Sequence, residues 1–473
     1  MAYEVVREAG IDLGPKDRVE PDYWAPVASG MTLRVVRVQE VEETELRAVP
    51  FDRHTIKSLG LEAGERRLLQ SGREGVEELV YLVVLEDGTR VSRQHVRTRL
   101  VTPPQDEVVA VGLPPSGGGV EFDGTVAYLA QGNAWLLRGE ARTRRPLTTT
   151  GDLDGRVFEL SPDGRTLLFT RREGAHSQAL NSLWAVATDV VGAEPENLGI
   201  TGVLRALWSP EGDRIIYTGG EWTEGSPGWR ALNDLWVLHW TPGRARSEIR
   251  GPSCPGPYCW WGPELAWLPA LDSSAGISDR VLVASPVGVT EVTLSSGAER
   301  RVVEFAPPPA GSGWVWVPEV GPHPAGTHVA LAWPAAASEA SEAGTTFDLA
   351  VVSIGDGTVV PLLEGVGMWA RPRYSSGGRG QVRVAYAVAD DASASAVSPY
   401  SVWVADADGS EARRLFPLTA GGTTIYEFTW SSDGYLLVGA ESGLYLCGAE
   451  TGEVRPLLEG LAVTRVRWAG PTP

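Results

Sequence analysis

Lysine is almost missing from this 473-residue chain: of 41 basic residues only Lys16 and Lys57 are lysine. No basic cluster offsets a net charge of −19, which divides as 15 basic against 20 acidic residues over 1–112 and 26 against 40 beyond. A phosphate backbone would meet a repulsive field, so nucleic acid is not an expected partner. No run of about 18 apolar residues occurs, so no helical membrane span is expected. Three cysteines are too few for a disulfide-built scaffold. No serine sits in Gly-x-Ser-x-Gly, and the six histidines (His54, His95, His176, His239, His323 and His328) include no HExxH pair. Asp52 and His54 share one strand face, with His95 elsewhere, but three metal ligands are not in evidence. Neither metal nor cofactor is expected.

What is abundant is turn chemistry. Fifty-six Gly and 34 Pro fit many short strands joined by turns. The stretch ELSPDGRTLLFT (159–170) reads as strand, tight turn, strand. Pro162 sets φ, Asp163 bonds back to the backbone and Gly164 tolerates positive φ. The unit returns as ALWSPEGDRIIYT (206–218), EFTWSSDGYLLVGA (427–440) and, without its first strand, VEFDGTVAYLA (120–130). Turn centres fall near Asp123, Asp163, Glu211, Ser273, Pro324, Gly377 and Asp433. A third strand follows each, as in NAWLLRG and NSLWAVA, and then a fourth, as in RRPLTTT and VVPLLEG. A repeated unit that cannot bury its apolar faces alone must stack on copies of itself. The reading is a mainly β chain whose residues 120–473 form a seven-bladed β-propeller, six blades being the alternative. Blade one lacks an inner strand while LAVTRVRWAG (461–470) is an orphan, so that strand is expected to complete it. The blade sequences resemble the TolB-like (WD40-like) repeat, well in blades two, three and seven and weakly in four to six.

Residues 1–112 have another character. YEVVREAG (3–10) reads as a short helix and MTLRVVRV (31–38) as a strand. EVVREAGIDLGPKDRVEP…GMTLRVVRV is similar to the second half of the ubiquitin-like (β-grasp) module that precedes G5 domains in resuscitation-promoting-factor-like cell-wall proteins. Residues 1–38 are thus expected to be a partial module, with any export signal upstream of Met1. Residues 32–112 resemble a G5 domain, most strongly in GREGVEELVYLVVLEDGTRVSR and PPQDEVVAVG. Gly64, Gly72, Gly75, Gly88 and Gly112 stand at that family's expected places and are read as structural. Gly72–Gly75 and Asp87-Gly88 read as hairpin turns. The flanking strands alternate apolar with charged residues and imply an elongated module with little core. The resemblance implies export and a role as a spacer or a binder of N-acetylglucosamine polymers. LPPSGGG (113–119) is a linker by composition.

Trp is unusually frequent (18 against 8 Phe), and all but Trp24 lie beyond residue 130. In a propeller, the connections between second and third strands and those between blades emerge on one face. Long insertions in them would gather Trp222, Trp229, Trp260, Trp261, Trp314 and Trp369 there. Such rings suit stacking on sugars or gripping a peptide; alternatively they pack the loops onto the blades. The inner strands place Glu159, Glu264, Glu319 and Glu427 with Arg205, Arg371 and Arg467 along a channel, without a spacing that singles out a catalytic pair. Cys254 and Cys259 bracket PGPY, where a small-loop disulfide and two free thiols are both open readings; Cys447 reads as a buried apolar residue. The expectation is an exported cell-envelope binding or scaffold protein, not an enzyme. Its expected partners are an N-acetylglucosamine-containing glycan or peptidoglycan and a ligand or protein on the propeller face. The acidic background is expected to disfavour anions. The alternative is a propeller-based polysaccharide lyase or glycosidase.

Overall fold

A computed structural model describes residues 1–58, 66–112, 120–173, 179–224, 228–253, 261–270, 277–305, 316–335, 346–376, 381–419 and 423–470. The chain divides near residue 113 into two compact units.

The first unit opens with α1 (Ala2–Glu8), and β1 (Arg18–Glu20) pairs antiparallel with β2 (Arg34–Val36). Ala2, Val6 and Val19 are buried against Leu13, Val27, Leu33 and Val35, so this segment carries a small apolar cluster of its own. The single strand expected over 31–38 is divided, because β3 (Val38–Val49) starts a different sheet. Asp17 fixes that break: its carboxylate accepts the amide hydrogens of Val38 (2.9 Å) and Gly14 (2.8 Å) and pairs with Arg37 at 2.7 Å.

β4 (Arg53–Ser58), β5 (Arg66–Gln70), β6 (Gly75–Glu86), β7 (Thr89–Thr102) and β8 (Glu107–Gly112) complete the unit in two sheets, ordered β3-β6-β7 and β4-β8-β5. β3 and β6 stay in register from Val38↔Glu86 to Val49↔Gly75. Every described side chain of β7 is exposed, and the buried residues concentrate on β6, where Leu79, Val80 and Val83 lie. With so little apolar burial, cross-strand pairs carry the surface: Arg93 meets Glu45 at 2.8 Å and sits 3.5 Å above the Tyr81 ring. Asp87 (φ 49°) and Gly88 (φ 78°) form the two-residue turn between β6 and β7. Gly72–Gly75, by contrast, is not a hairpin turn, because β5 pairs with β8 whereas β6 pairs with β3 and β7. Those glycines are needed for close approach. A Cβ on Gly72 would stand 2.1 Å from the Phe51 ring, and one on Gly75 would stand 2.6 Å from the Thr102 carbonyl oxygen.

Among the described residues of the second unit, seven antiparallel sheets are radially repeated. Their innermost strands are Arg465–Ala469, Leu153–Leu160, Val203–Trp208, Glu264–Trp267, Val320–Pro322, Arg373–Tyr374 and Ile425–Trp430. Each adjoins the next, and Ile425–Trp430 adjoins Arg465–Ala469, so the ring closes. The 1–2 turns repeat one hydrogen-bond scheme. The Ser161 hydroxyl accepts from the Thr166 amide at 2.9 Å, as Ser209 accepts from Arg214 (3.1 Å) and Ser431 from Tyr435 (2.9 Å). Apolar layers between neighbouring blades form the core, with Phe158, Phe169, Ile215 and Tyr386 almost wholly buried.

Blade one joins both ends of this unit. The strand Glu121–Ala130 pairs with Arg465–Ala469 from Leu129↔Arg465 to Thr125↔Ala469. The turn expected at Asp123 is absent because that residue lies within Glu121–Ala130. Gly124 bends this strand with φ 104°, at a point where a Cβ would lie 2.3 Å from the Ala469 carbonyl oxygen. The expected third and fourth strands, NAWLLRG and RRPLTTT, share one strand, Asn133–Pro146, with a register shift between Arg138 and Glu140. Beyond it the Leu147 amide donates to the Ala134 carbonyl at 2.8 Å.

Val463 and Val466 are fully buried in the closing segment. Their burial contributes about 1.5–3 kcal/mol each. Truncation after Glu459 should therefore lower the melting temperature of the second unit by about 10 °C or more and produce aggregates, because an unpaired inner edge is exposed. Calorimetry with size-exclusion chromatography checks this; an unchanged transition would contradict the closure.

Candidate functional site

Inner strands of a propeller run in one direction, so their first residues sit at the end that bears the inter-blade connections. Arg205, Arg371 and Arg465 lie early in theirs or just ahead of them. Alternation along a strand puts Arg465 and Arg467 on one face, and Arg371 joins Arg373 through their shared acceptor Glu319. Arg156 and Glu159 are three apart, yet a register shift between Leu153 and Phe158 lets both reach the axis. Together these groups and Glu264, Glu319 and Glu427 wall an axial cavity of about 190 Å³. It adjoins a second cavity of about 310 Å³, toward Trp267, Pro322 and Tyr374.

The carboxylates are all engaged. Arg467 binds Glu159 bidentately (Nε–Oε2 2.9 Å, Nη2–Oε1 2.7 Å) and reaches Glu427 at 2.7 Å. Glu427 also accepts the Val466 amide hydrogen at 2.9 Å, which ties blade seven to the closing strand. The Nε of Arg205 donates to Glu264 at 2.9 Å. Glu319 holds Arg371 at 3.1 Å and Arg373 at 2.6 Å. Arg371 takes up a left-handed backbone (φ 47°), and its guanidinium also donates to the Tyr426 carbonyl. Burial pushes the Glu319 carboxyl up, but Arg371, Arg373 and Arg205 outweigh it and hold the pKa at about 2. Glu427 is lowered in the same way, with burial opposing Arg467 and Arg465.

Two arginines have no such partner. Among the described residues, neither Arg156 nor Arg465 has a carboxylate within 4 Å. Arg465 donates to the Gly155 carbonyl at 2.8 Å, beside Arg156, and Arg156 stands 4.5 Å above the Trp229 ring. The wall therefore carries six arginines against four glutamates. The local balance of charge in this wall is thus opposite in sign to that of the chain as a whole.

Trp229 is half-buried, pairs across a short hairpin with Trp222, and meets Trp261 edge to face with centroids 6.3 Å apart. Trp222 is 46% exposed and Trp261 53%. Trp369, 38% exposed, lies between blades five and six and shares no ring contact with them among the described residues. Trp260, Trp314, Cys254, Cys259 and Gly64 lie outside the described residues. Cys447 is buried, and burial pushes its thiol up to about 12. His54 bonds Asp106 at 3.1 Å and His95 bonds Thr98 at 2.8 Å. No group of three or more potential metal ligands occurs among the described residues. Sequence reasoning missed Arg156, Arg373 and Arg465. The i, i+2 spacings of Arg371-Pro-Arg373 and Arg465-Val-Arg467 were legible signals, whereas Arg156 depends on the bulge.

Residues 40–113 match the G5 domain. The chain is 23% identical over 139 residues to the resuscitation-promoting factor RpfB of Mycolicibacterium smegmatis, a match spanning 28% of this chain and 38% of that protein's length. The chain is similar to TolB from Acinetobacter baumannii (14% identity, 91% of this chain and 100% of that one, TM-score 0.37). It is similar too to the GH74 xyloglucanase of Xanthomonas campestris (12% identity, 75% of this chain and 55% of that one, TM-score 0.47). Because the solved structures similar to this chain include an enzyme, the expectation of a non-enzyme is corrected and not retained.

Glu319→Gln should cost about 1–3 kcal/mol near neutral pH by removing the charge that two arginines share and one of the two acceptor oxygens. Since the native carboxyl is depressed, the wild-type advantage is full above the ordinary glutamate value of 4.5 and fades as pH falls toward about 2. Denaturant unfolding of both proteins across this range checks the sign. A gap that persists undiminished into acid would contradict it.

Proposed function

We propose that the protein is an extracytoplasmic, cell-wall-associated binding protein whose propeller presents a ligand site on the face bearing its long connections. Placement at the wall is supported by the similarity of residues 40–113 to the G5 domain and by the partial match to RpfB. On this reading the first unit contacts N-acetylglucosamine-containing glycan or serves as a spacer. The single observation that carries the binding role is the stacking of Arg156, in the wall of a charged axial cavity, on half-buried Trp229, which in turn pairs with Trp222 and meets Trp261 edge to face. Two of these rings remain about half open to solvent, which packing of loops alone does not require.

The full chain should co-sediment with purified peptidoglycan. The propeller's share is read on a glycan array with the Trp222→Ala/Trp229→Ala variant, after its unfolding has been compared with wild type. Aromatic stacking contributes about 0.5–1.5 kcal/mol per ring, so signals should fall by about twofold to tenfold per ring lost. A folded variant with every interaction intact would refute the proposed face. A variant that unfolds would identify the rings as packing.

A further inference from the structure

We propose that the loop-side mouth of the axial channel binds a carboxylated sugar, a pyranose carrying an acidic group, with Arg156 and Arg465 taking the carboxylate and Trp229 and Trp261 taking the ring. This rests on the reading of that face as a binding surface and names its ligand class.

Three observations converge. First, every carboxylate of the wall is already engaged by another arginine, so Arg156 and Arg465 are the two cations in excess. A half-buried guanidinium without a counter-ion costs free energy that an arriving anion recovers. Burial and neighbouring Arg205 push the Arg156 pKa down, with Asp154 opposing, which agrees with an uncompensated cation. Asp154 does not neutralise it at contact distance. Its carboxylate accepts the Arg156 amide at 3.0 Å and the Asn181 side chain at 2.8 Å.

Second, the Arg465 Nε is held on the Gly155 carbonyl at 2.8 Å, next in sequence to Arg156. The two guanidiniums thus enter the same end of the cavity from adjoining blades, one from each end of the propeller chain. Third, the Arg156 guanidinium lies 4.5 Å above Trp229, which abuts exposed Trp261. A flat aromatic surface beside a cation suits a molecule with an apolar C–H face and a carboxylate at its edge. Sugar acids have both. A bare anion would use the arginines and leave the rings idle; a neutral sugar would do the reverse.

The test uses the full chain. Trigalacturonate and its fully methyl-esterified form are titrated calorimetrically, alongside N-acetylmuramic acid, N-acetylglucosamine and inorganic phosphate. The acids should bind about tenfold or more tighter than the ester and the neutral amino sugar, as expected for a charge-assisted contact. Arg156→Gln should reduce the acids to the affinity of the neutral forms, and Trp261→Ala should weaken the acids without affecting phosphate. Which acid binds tighter, uronate or lactyl ether, distinguishes the two sources of this chemistry. Equal binding of acid and ester would overturn the inference while leaving the face a glycan site; no binding of any sugar would defeat both readings. Phosphate matching the acids, or a folded Arg156→Gln protein with unchanged preference, would also overturn it. Should Arg156→Gln fail to fold, the acid–ester comparison on the native protein decides alone.

Discussion

The backbone pairing of Arg465–Ala469 with Glu121–Ala130 is the constraint on which the second unit depends. A propeller stores its core between blades, so each apolar layer needs a neighbour on both sides, and an open ring would leave two layers bare. The closing strand meets that need with buried Val466 and Ala469. From the same strand Arg467 bridges Glu159 of blade two and Glu427 of blade seven. One strand therefore closes the ring by its backbone, buries Val466 on one face and Ala469 on the other, and supplies Arg467 to the channel.

Channel and surface follow different electrostatic rules. The chain as a whole carries −19, and that charge sets the field felt at a distance. Inside the channel low-dielectric walls make near neighbours dominate, and there arginines outnumber glutamates by six to four. Glu319 shows the strength of this local balance, since burial alone would raise its pKa and the arginines instead hold it near 2. A ligand approaching such a site is selected by contacts at the mouth more than by long-range attraction.

Much of the fold was legible because local rules and global architecture agree. The Ser-x-(Asp/Glu)-Gly turns specify hairpins by themselves, and their repetition implies radial stacking. The misreadings lie where tertiary contact overrides local pattern. Gly72 and Gly75 look like turn glycines but make room for Phe51 and for the Thr102 carbonyl. Blade one hides its strand boundary because Asn133–Pro146 carries the bulge that the other blades lack at that point. At the site, Glu159, Arg205 and Arg467 could be read from the inner-strand pattern. Arg156 could not, because only a register shift brings it to the axis, and its ring partner Trp229 is more than seventy residues away in sequence.

On the proposed reading Arg465 of the closing strand, Arg156 of blade two, Trp229 of blade three and Trp261 of the connection that follows it build one site at the loop-side mouth of the channel. A crystallographic difference map of the full chain with bound trigalacturonate tests this. Density is expected for a sugar ring against Trp229 and Trp261, with its carboxylate between Arg156 and Arg465. Sugar density confined to any other surface, with those two arginines and rings unoccupied, would contradict it.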